Sequence, residues 1–125
     1  MTSYNFQKDK NGDPLISECQ KHPFFNYYLS PESLTLFRAI YQNKLGMQDK
    51  FVAYQEKLAN YLSGNPYIMG FDPFNEPAPT ADGLVNAVYI LRGGHFDQTD
   101  LAPLYKRIYE NMIKANKNNM MWFEP

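Results

Sequence analysis

Residues 65–77 of the chain read NPYIMGFDPFNEP. The apolar run from Pro66 to Phe71 is too short for a helix and is bounded by turn residues, so it predicts a buried strand. The segment from Asp72 to Pro77 then lies at the carboxyl end of that strand. A glutamate is thereby placed between an asparagine and a proline at the point where a strand ends.

Two helical patterns precede this strand. Ser30 followed by Pro31 predicts a helix start, with the serine as cap, and that helix is expected to end near residues 43–46. Its apolar residues at helical spacing are Leu34, Phe37, Ile40 and Tyr41. A second helix is expected between Asp49 and Gly64, because an acidic residue suits the first turn and a glycine suits the end. Its predicted apolar stripe is Phe51, Tyr54, Leu58, Tyr61 and Leu62.

A third helix and a second strand follow. Thr99 or Asp100 is expected to cap the helix, and Pro103 is tolerated in its first turn. The predicted apolar face is Leu101, Leu104, Tyr105, Ile108, Met112 and Ala115. The run from Met120 to Phe123 then reads as another short strand, and Glu124 with Pro125 ends the chain.

The remaining segments are expected to be connections. Residues 1–29 predict an ordered loop with a cluster of aromatic side chains between Phe24 and Tyr28. Residues 78–99 predict a long connection around the apolar segment from Leu84 to Leu91, with at most one helical turn. The order helix, strand, helix, strand predicts an α/β fold with parallel strands and right-handed crossovers.

Composition limits the partners. The chain has 125 residues, enough for one domain, and 44% hydrophobic residues supply a core. Twelve basic and thirteen acidic residues give a net charge of -1 without long runs, which disfavours nucleic acid and anionic membranes as partners. The lone Cys19 excludes an internal disulfide, and with His22 and His95 it makes no metal-ligand cluster. No signal peptide, membrane span, metal or cofactor is expected.

Asn75 and Glu76 are the candidate functional residues. Catalytic groups of parallel α/β folds lie on loops beyond the carboxyl ends of the strands, where this pair is expected. The alternative interpretation is a plain turn, since asparagine favours turns and Pro77 restricts the residue before it. The preceding apolar strand favours the functional interpretation.

The motif resembles the acid/base motif of family 5 glycoside hydrolases, which are retaining glycosidases on a (β/α)8 barrel. Three stretches are similar to the endoglycoceramidase and glucosylceramidase-like branch: residues 41–51 (YQNKLGMQDKF), residues 65–77 and residues 123–125 (FEP). The similarity extends over roughly residues 35–125. It implies an α/β fold that is a partial (β/α)8 TIM barrel, with central strands and crossover helices only.

The resemblance implies a role for each residue of the motif. Glu76 would protonate the glycosidic oxygen and then serve as base for the incoming water, while Asn75 would hydrogen-bond the sugar 2-hydroxyl. Asp72 is expected to cap the loop rather than to accept a hydrogen bond behind the site. Tyr41, Asn43 and the aromatic residues 24–28 are candidates for a sugar or lipid cleft, although core packing is favoured for them.

The second carboxylate of a retaining glycosidase is the main departure. The family's nucleophile is a glutamate on a strand well beyond the Asn-Glu-Pro strand, so the resemblance does not assign that role to Glu124. Residues 1–125 are therefore expected to be a fragment of a glycoside hydrolase catalytic domain.

The resemblance further implies a glycolipid or oligosaccharide substrate and a glycosphingolipid hydrolase whose relatives are often secreted or lysosomal. Two other functions stay open: a non-catalytic carbohydrate- or lipid-binding remnant, and a helical interaction module that uses its tyrosine-rich faces.

Overall fold

The computed structural model of the protein describes residues 5–81, 84–85, 93–118 and 120–124. Within these residues, the α-helices are α1 (Ile16–Cys19), α2 (Phe24–Tyr28), α3 (Pro31–Tyr41), α4 (Met47–Tyr61) and α5 (Ala102–Ala115). A 3-10 helix at Lys44–Gly46 joins α3 to α4, and a π-helix at Asp97–Leu101 leads into α5. The strands are β1 (Gly70–Phe71), β2 (Thr80–Ala81), β3 (Leu84–Val85) and β4 (Met120–Met121).

The amino-terminal segment corrects one prediction. Residues expected to form an aromatic loop contain the short helices α1 and α2, the second of which carries the whole cluster Phe24–Tyr28. Pro23 occupies the cap position of α2 with extended backbone, so the proline sets the start of this helix. The aromatic side chains therefore project from a helical turn.

Helix α3 begins as predicted and ends at Tyr41, two residues before the predicted region 43–46. The Ser30 Oγ accepts a hydrogen bond from the N–H of Ser33 at 3.3 Å, and proline lies in the first turn. Leu34 and Tyr41 are buried on its inner face. The chain then turns through Asn43, whose φ of 53° lies in the left-handed region that asparagine tolerates better than most residues.

Helix α4 packs against the core with part of its predicted stripe, namely Phe51, Leu58 and Leu62. Its buried residues are Val52, Gln55 and Ala59, whereas Tyr54 and Tyr61 are 60% and 85% exposed. The predicted stripe is wrong for these two tyrosines. Small residues such as Ala59 allow a neighbouring helix to approach closely, and α4 packs along α5 on this side.

Helix α5 confirms its predicted apolar face but not its predicted cap. Leu104, Tyr105, Ile108 and Met112 are buried. Thr99 lies within helical backbone that begins at residue 95, and its Oγ1 donates to the carbonyl of His95 at 2.9 Å. The hydroxyl thus bonds one turn back along the helix instead of capping its start.

Strands β1 and β4 pair in parallel, as predicted, with Gly70 opposite Met120 and Phe71 opposite Met121. Each is shorter than expected. Residues 66–67 form a turn, in which the Asn65 Oδ1 accepts from the N–H of Tyr67 at 3.0 Å, so only two residues before the loop are strand.

The two faces of this strand pair differ. Phe71 is buried and Met121 packs against the same core as the helices. Alternation along the strands puts Gly70, Met120 and Trp122 on the opposite face, where Met120 and Trp122 are 54% and 42% exposed. One face is covered by helices and the other faces outward.

The long connection expected at residues 78–99 contains an antiparallel pair. Strands β2 and β3 pair through Thr80 with Val85 and Ala81 with Leu84, and β2 lies against α3. The apolar segment from Leu84 to Leu91 falls outside the described residues after Val85, as does Pro125.

Two arginines form hydrogen bonds between neighbouring helices. The Arg38 guanidinium donates to the Asp100 carboxylate at 3.0 Å, which links α3 to the π-helix. Arg107 of α5 donates to Gln48 at 2.8 Å and to Asp49, both in the first turn of α4. The hydrogen bond from Arg107 lowers the pKa of Asp49 below its ordinary value. Among the described residues, each helix is too short or too polar to cross a membrane.

Candidate active site

The loop of residues 72–78 leaves the carboxyl end of β1, and residues 122–124 leave the carboxyl end of β4. Because these strands are parallel neighbours, both segments leave the same edge of the pair. Asn75 and Glu76 are both exposed in the loop. The structure therefore brings the two predicted residues to a strand-end edge that solvent reaches.

The backbone of the 72–78 loop is held by side chains from the surrounding helices. The Gln55 Nε2 of α4 donates to the carbonyl of Pro73 at 2.9 Å. The Tyr105 hydroxyl of α5 donates to the carbonyl of Phe74 at 3.1 Å. These bonds satisfy carbonyls beside the buried Pro73, where an unpaired acceptor would be costly.

The second half of the loop is held in the same way. The Tyr41 hydroxyl of α3 donates to the carbonyl of Ala78 at 3.0 Å, and both residues are buried. The Tyr28 hydroxyl of α2 donates to the carbonyl of Glu76. Four helices thus each supply one donor to one loop carbonyl.

Glu76 adopts an unusual backbone conformation. Its φ of 44° lies in the left-handed region, which costs a residue with a Cβ about 1–2 kcal/mol. The following Pro77 further favours an extended conformation at this position. Strained backbone of this kind is concentrated at functional sites.

Glu124 contacts the backbone of Glu76. Its Oε2 accepts a hydrogen bond from the Glu76 N–H at 2.6 Å. Hydrogen bonds to a carboxylate are shorter and stronger than those to a neutral acceptor. The Glu124 N–H in turn lies 3.4 Å from the Tyr105 hydroxyl as its acceptor. Glu124 is therefore bound to the loop that carries Glu76.

The tyrosines around the loop stay protonated. Burial raises the pKa of Tyr28, and the charges of Glu76 and Glu124 raise it further. Burial likewise raises the pKa of Tyr41 and of Tyr105. These hydroxyls consequently remain hydrogen-bond donors to the loop at neutral pH.

The residues predicted to line a sugar or lipid cleft do not share one location. Tyr41 is core, with its ring 5.3 Å from that of Phe96. The Asn43 Oδ1 accepts from the N–H of Asp49 at 3.1 Å and so supports the start of α4. Phe24 and Phe25 are each 64% exposed on α2. Of these candidates, the two phenylalanines are the ones that solvent reaches most freely.

Asp72, the first residue of the loop, is exposed. Burial is the main cause that raises the pKa of Tyr105, and the negative charge of Asp72 also raises it. The expected role of Asp72 as a loop cap stays a prediction. Among the described residues, no three His, Cys, Asp or Glu side chains converge as metal ligands would.

An apolar cleft lies on the other side of Tyr105. Its volume is about 330 Å³, and its lining residues are Asp97, Gln98, Leu101, Ala102, Tyr105 and Phe123. Tyr105 therefore contacts both the cleft and the 72–78 loop. The cleft is adjacent to the segment that carries Glu124.

The residues that hold the loop are not evident from the sequence patterns. Gln55 could have been found as a polar residue on the face that also carries Val52 and Ala59. Tyr105 was recognised only as a core residue and Tyr28 only as a member of an aromatic cluster. Nothing in the local sequence marks the hydroxyl of either tyrosine as a partner of the loop.

Comparison with known proteins gives a distant relationship. No family model matches the chain. The chain is similar to an endoglycoceramidase of Cyanea nozakii, with 24% identity over 115 residues, or 92% of the chain and 22% of the relative. An endoglycoceramidase of Hydra vulgaris gives the same identity and coverage. The chain thus spans about a fifth of the length of the curated relatives it matches, and the two similarities support a distant glycosidase-like relationship.

Proposed function

We propose that the chain is part of a glycoside hydrolase that cleaves O-glycosyl bonds of glycolipids by a retaining mechanism, with Glu76 as acid/base. The observation that carries the proposal is the exposed pair Asn75 and Glu76 at the carboxyl edge of two parallel strands. The endoglycoceramidase relatives support the choice of a glycosphingolipid substrate.

The chemistry requires a proton donor beside the glycosidic bond. An alkoxide leaves slowly unless its oxygen is protonated, so a carboxylic acid at Glu76 would lower the barrier and later activate water. Asn75 would donate to the sugar 2-hydroxyl, a contact that strengthens as the ring flattens toward the transition state. The fixed backbone between them would keep both groups in register with one sugar.

We also propose that the fold is part of a (β/α)8 barrel. Parallel strands with helices against one face are the repeating unit of that fold. The outward face with Gly70, Met120 and Trp122 would then belong to the barrel interior, and further strands would pair with both edges of the β1 and β4 pair.

The nucleophile would come from one of those further strands. Retaining glycosidases need two carboxyl groups about 5–5.5 Å apart on either side of the bond. We do not assign this role to Glu124, because its Oε2 already accepts the N–H of Glu76 at 2.6 Å.

A second candidate function is a non-catalytic carbohydrate- or lipid-binding remnant. The apolar cleft bounded by Leu101, Tyr105 and Phe123 favours it, because an acyl chain fits such a lining. A protein with this function would bind glycolipid without hydrolysing it, and its affinity would not depend on the charge of Glu76.

The discriminating experiment is Glu76→Gln in a complete catalytic domain that contains this segment. We expect hydrolysis of a fluorogenic β-glucoside with a poor leaving group to fall about a hundredfold or more, and that of an activated β-glucoside to fall less. Glu110→Gln, an exposed glutamate of α5 paired with Lys106, is the matched control and should keep full activity. Equal and small losses on both substrates would remove Glu76 from the acid/base role.

A further inference from the structure

Glu76 is bound through both of its backbone polar groups, by two residues far away in the chain. The carboxylate of Glu124 accepts its N–H at 2.6 Å, and the hydroxyl of Tyr28 donates to its carbonyl. Each partner lies 48 positions from Glu76, one before it and one after it. The two contacts therefore depend on the tertiary fold.

The bound conformation is one that Glu76 would not adopt by itself. Its φ is 44°, and the next residue is Pro77, which favours extended backbone before it. A peptide in solution would accordingly relax to negative φ. The two hydrogen bonds oppose that relaxation, because rotation about φ and ψ turns the N–H away from Glu124 or the carbonyl away from Tyr28.

Both partners are suited to the task. A carboxylate forms stronger hydrogen bonds with a backbone N–H than a neutral acceptor does. Tyr28 remains a donor because burial and then the charges of Glu76 and Glu124 raise its pKa. Its ring is also fixed, with its centroid 5.4 Å from that of Phe37 on α3.

We propose that Tyr28 and Glu124 are positioning residues that hold Glu76 in its left-handed conformation and thereby aim its carboxyl group at the substrate. We call this pair the Glu76 clamp. The Cα–Cβ bond of residue 76 changes direction when φ changes sign, so loss of the clamp moves the carboxyl group even though the side chain is unchanged. The inference rests on the proposed function of Glu76.

The kinetic test uses two variants with different chemistry, in a complete catalytic domain that contains this segment. Glu124→Ala should lower kcat about tenfold to a hundredfold with little change in KM, because the proton donor is misplaced while substrate binding persists. Glu124→Gln should restore most of kcat, because its amide oxygen still accepts the N–H. Glu110→Ala is the control for removal of an exposed glutamate.

Two tyrosine substitutions test the other partner. Tyr28→Phe removes the hydroxyl that reaches Glu76, whereas the control Tyr54→Phe removes a hydroxyl from a side chain that is 60% exposed on α4. We expect kcat to fall about tenfold in the first and to stay unchanged in the second. Equal effects of the two substitutions would overturn the role of Tyr28.

A direct readout of conformation separates the clamp from the proposed function. The φ of residue 76, measured by crystallography or by backbone NMR, should become negative in the Tyr28→Phe Glu124→Ala double variant. A positive φ in that variant would overturn the clamp even if Glu76 proved to be the acid/base. The opposite outcome is also distinguishable. If Glu76→Gln kept full activity while φ became negative in the double variant, the proposed function of Glu76 would be wrong, but Tyr28 and Glu124 would still be shown to hold its backbone conformation.

Azide distinguishes positioning from nucleophilic catalysis at Glu124. If Glu124 were the nucleophile, azide would occupy the space left in Glu124→Ala and restore turnover as a glycosyl azide of inverted configuration, and Glu124→Gln would be as inactive as Glu124→Ala. We expect no such rescue. Restoration by azide would overturn the assignment of Glu124 as a positioning residue.

Discussion

Asn75 is the residue whose role depends most on its exact chemistry. It is exposed beside Glu76 on a loop whose backbone is fixed, so its amide can meet a substrate hydroxyl without reordering the loop. A buried asparagine could not reach the substrate, and an asparagine on a mobile loop would have to be ordered on binding. Its contribution should therefore depend on the hydroxyl it meets.

Replacement of Asn75 by alanine should reduce hydrolysis of a β-glucoside much more than hydrolysis of its 2-deoxy analogue. The analogue already lacks the hydroxyl, so the substitution removes no further hydrogen bond from its transition state. Values of kcat/KM for both substrates and both proteins form the complete cycle. Identical losses on the two substrates would mean that Asn75 only shapes the turn.

Tyr41 shows how a single buried hydroxyl links stability to pH. Burial raises its pKa above the ordinary value of 10.0, so the folded protein keeps the proton when the unfolded chain has lost it. The stabilisation is complete below pH 10 and is lost as the pH rises above that value. Loss of the proton would also break the bond to the carbonyl of Ala78.

We predict that the free energy of unfolding falls above pH 10, with up to about 1.4 kcal/mol per pH unit from Tyr41 alone. Urea denaturation between pH 8 and pH 11, at one protein concentration, measures this slope. Tyr41→Phe should be less stable at pH 8, because the Ala78 carbonyl loses its donor, but should show a shallower decline. A slope unchanged by the substitution would contradict the prediction.

At the scale of elements, the pairing of β1 with β4 depends on Gly70. A Cβ at this position would lie 2.4 Å from the carbonyl oxygen of Met120 and 2.5 Å from the ring of Trp122. The first of these neighbours is backbone and cannot move without separating the strands. Glycine is therefore required here for close approach.

Gly70→Ala should destabilise the protein by about 1–3 kcal/mol, the usual cost of forcing a methyl group into packed structure. Gly93→Ala is the matched control, because a Cβ there would meet no atom within 4 Å. Urea denaturation of both variants measures the difference. Equal stability of the two variants would show that the strands separate without cost.

The elements also show what sequence patterns can and cannot predict. The start of α3 was predictable because Ser30 and Pro31 act through local geometry, and the face of α5 because four buried positions repeat at helical spacing. The face of α4 was predictable only in part. Phe51, Leu58 and Leu62 pack against the core, but the tertiary partner also buries Val52 and Ala59 and leaves Tyr54 and Tyr61 exposed. Helices α1 and α2 were missed because each has only four or five residues, too few for a periodic pattern.

The candidate site likewise has a part that the sequence predicts and a part that it does not. A strand pattern followed by a turn motif predicted where Asn75 and Glu76 lie, since that position follows from the chain itself. The Glu76 clamp could not be predicted, because its contacts join residues 48 positions apart and involve a hydroxyl and a backbone carbonyl. A periodic pattern of apolar residues within one segment cannot indicate such a contact.

At the scale of the whole molecule, apolar side chains are exposed around the strand pair. Met69 is 69% exposed, Met120 54% and Phe123 62%. Large apolar patches on a protein surface mark sites of interaction. Among the residues that the structure describes, β1 and β4 pair only with each other, so their outer edges add backbone donors and acceptors to the same region. In the proposed barrel, further strands would pair with these two edges.

We predict that the 125-residue chain, expressed alone, self-associates through this surface and hydrolyses no glucosylceramide. Sedimentation velocity and a hydrolysis assay on the purified chain test both parts. Met120→Glu should shift the chain toward monomer, whereas Leu36→Glu, at a comparably exposed site on α3, should not. A compact monomer with measurable turnover would contradict the barrel proposal and would require a second carboxylate within this chain.

The four donors to the 72–78 loop contact carbonyl oxygens, which every amino acid supplies. The shape of the loop is consequently encoded largely in α2, α3, α4 and α5, together with the loop's own Phe74, whose ring packs against Phe37, Tyr41 and Phe51. Residues such as Asp72 and Asn75 can be exchanged for others while the loop keeps its course, so new substrate preferences are accessible by single substitutions. Directed evolution of this segment should therefore diversify the exposed residues of the loop and leave the four donors Tyr28, Tyr41, Gln55 and Tyr105 unchanged.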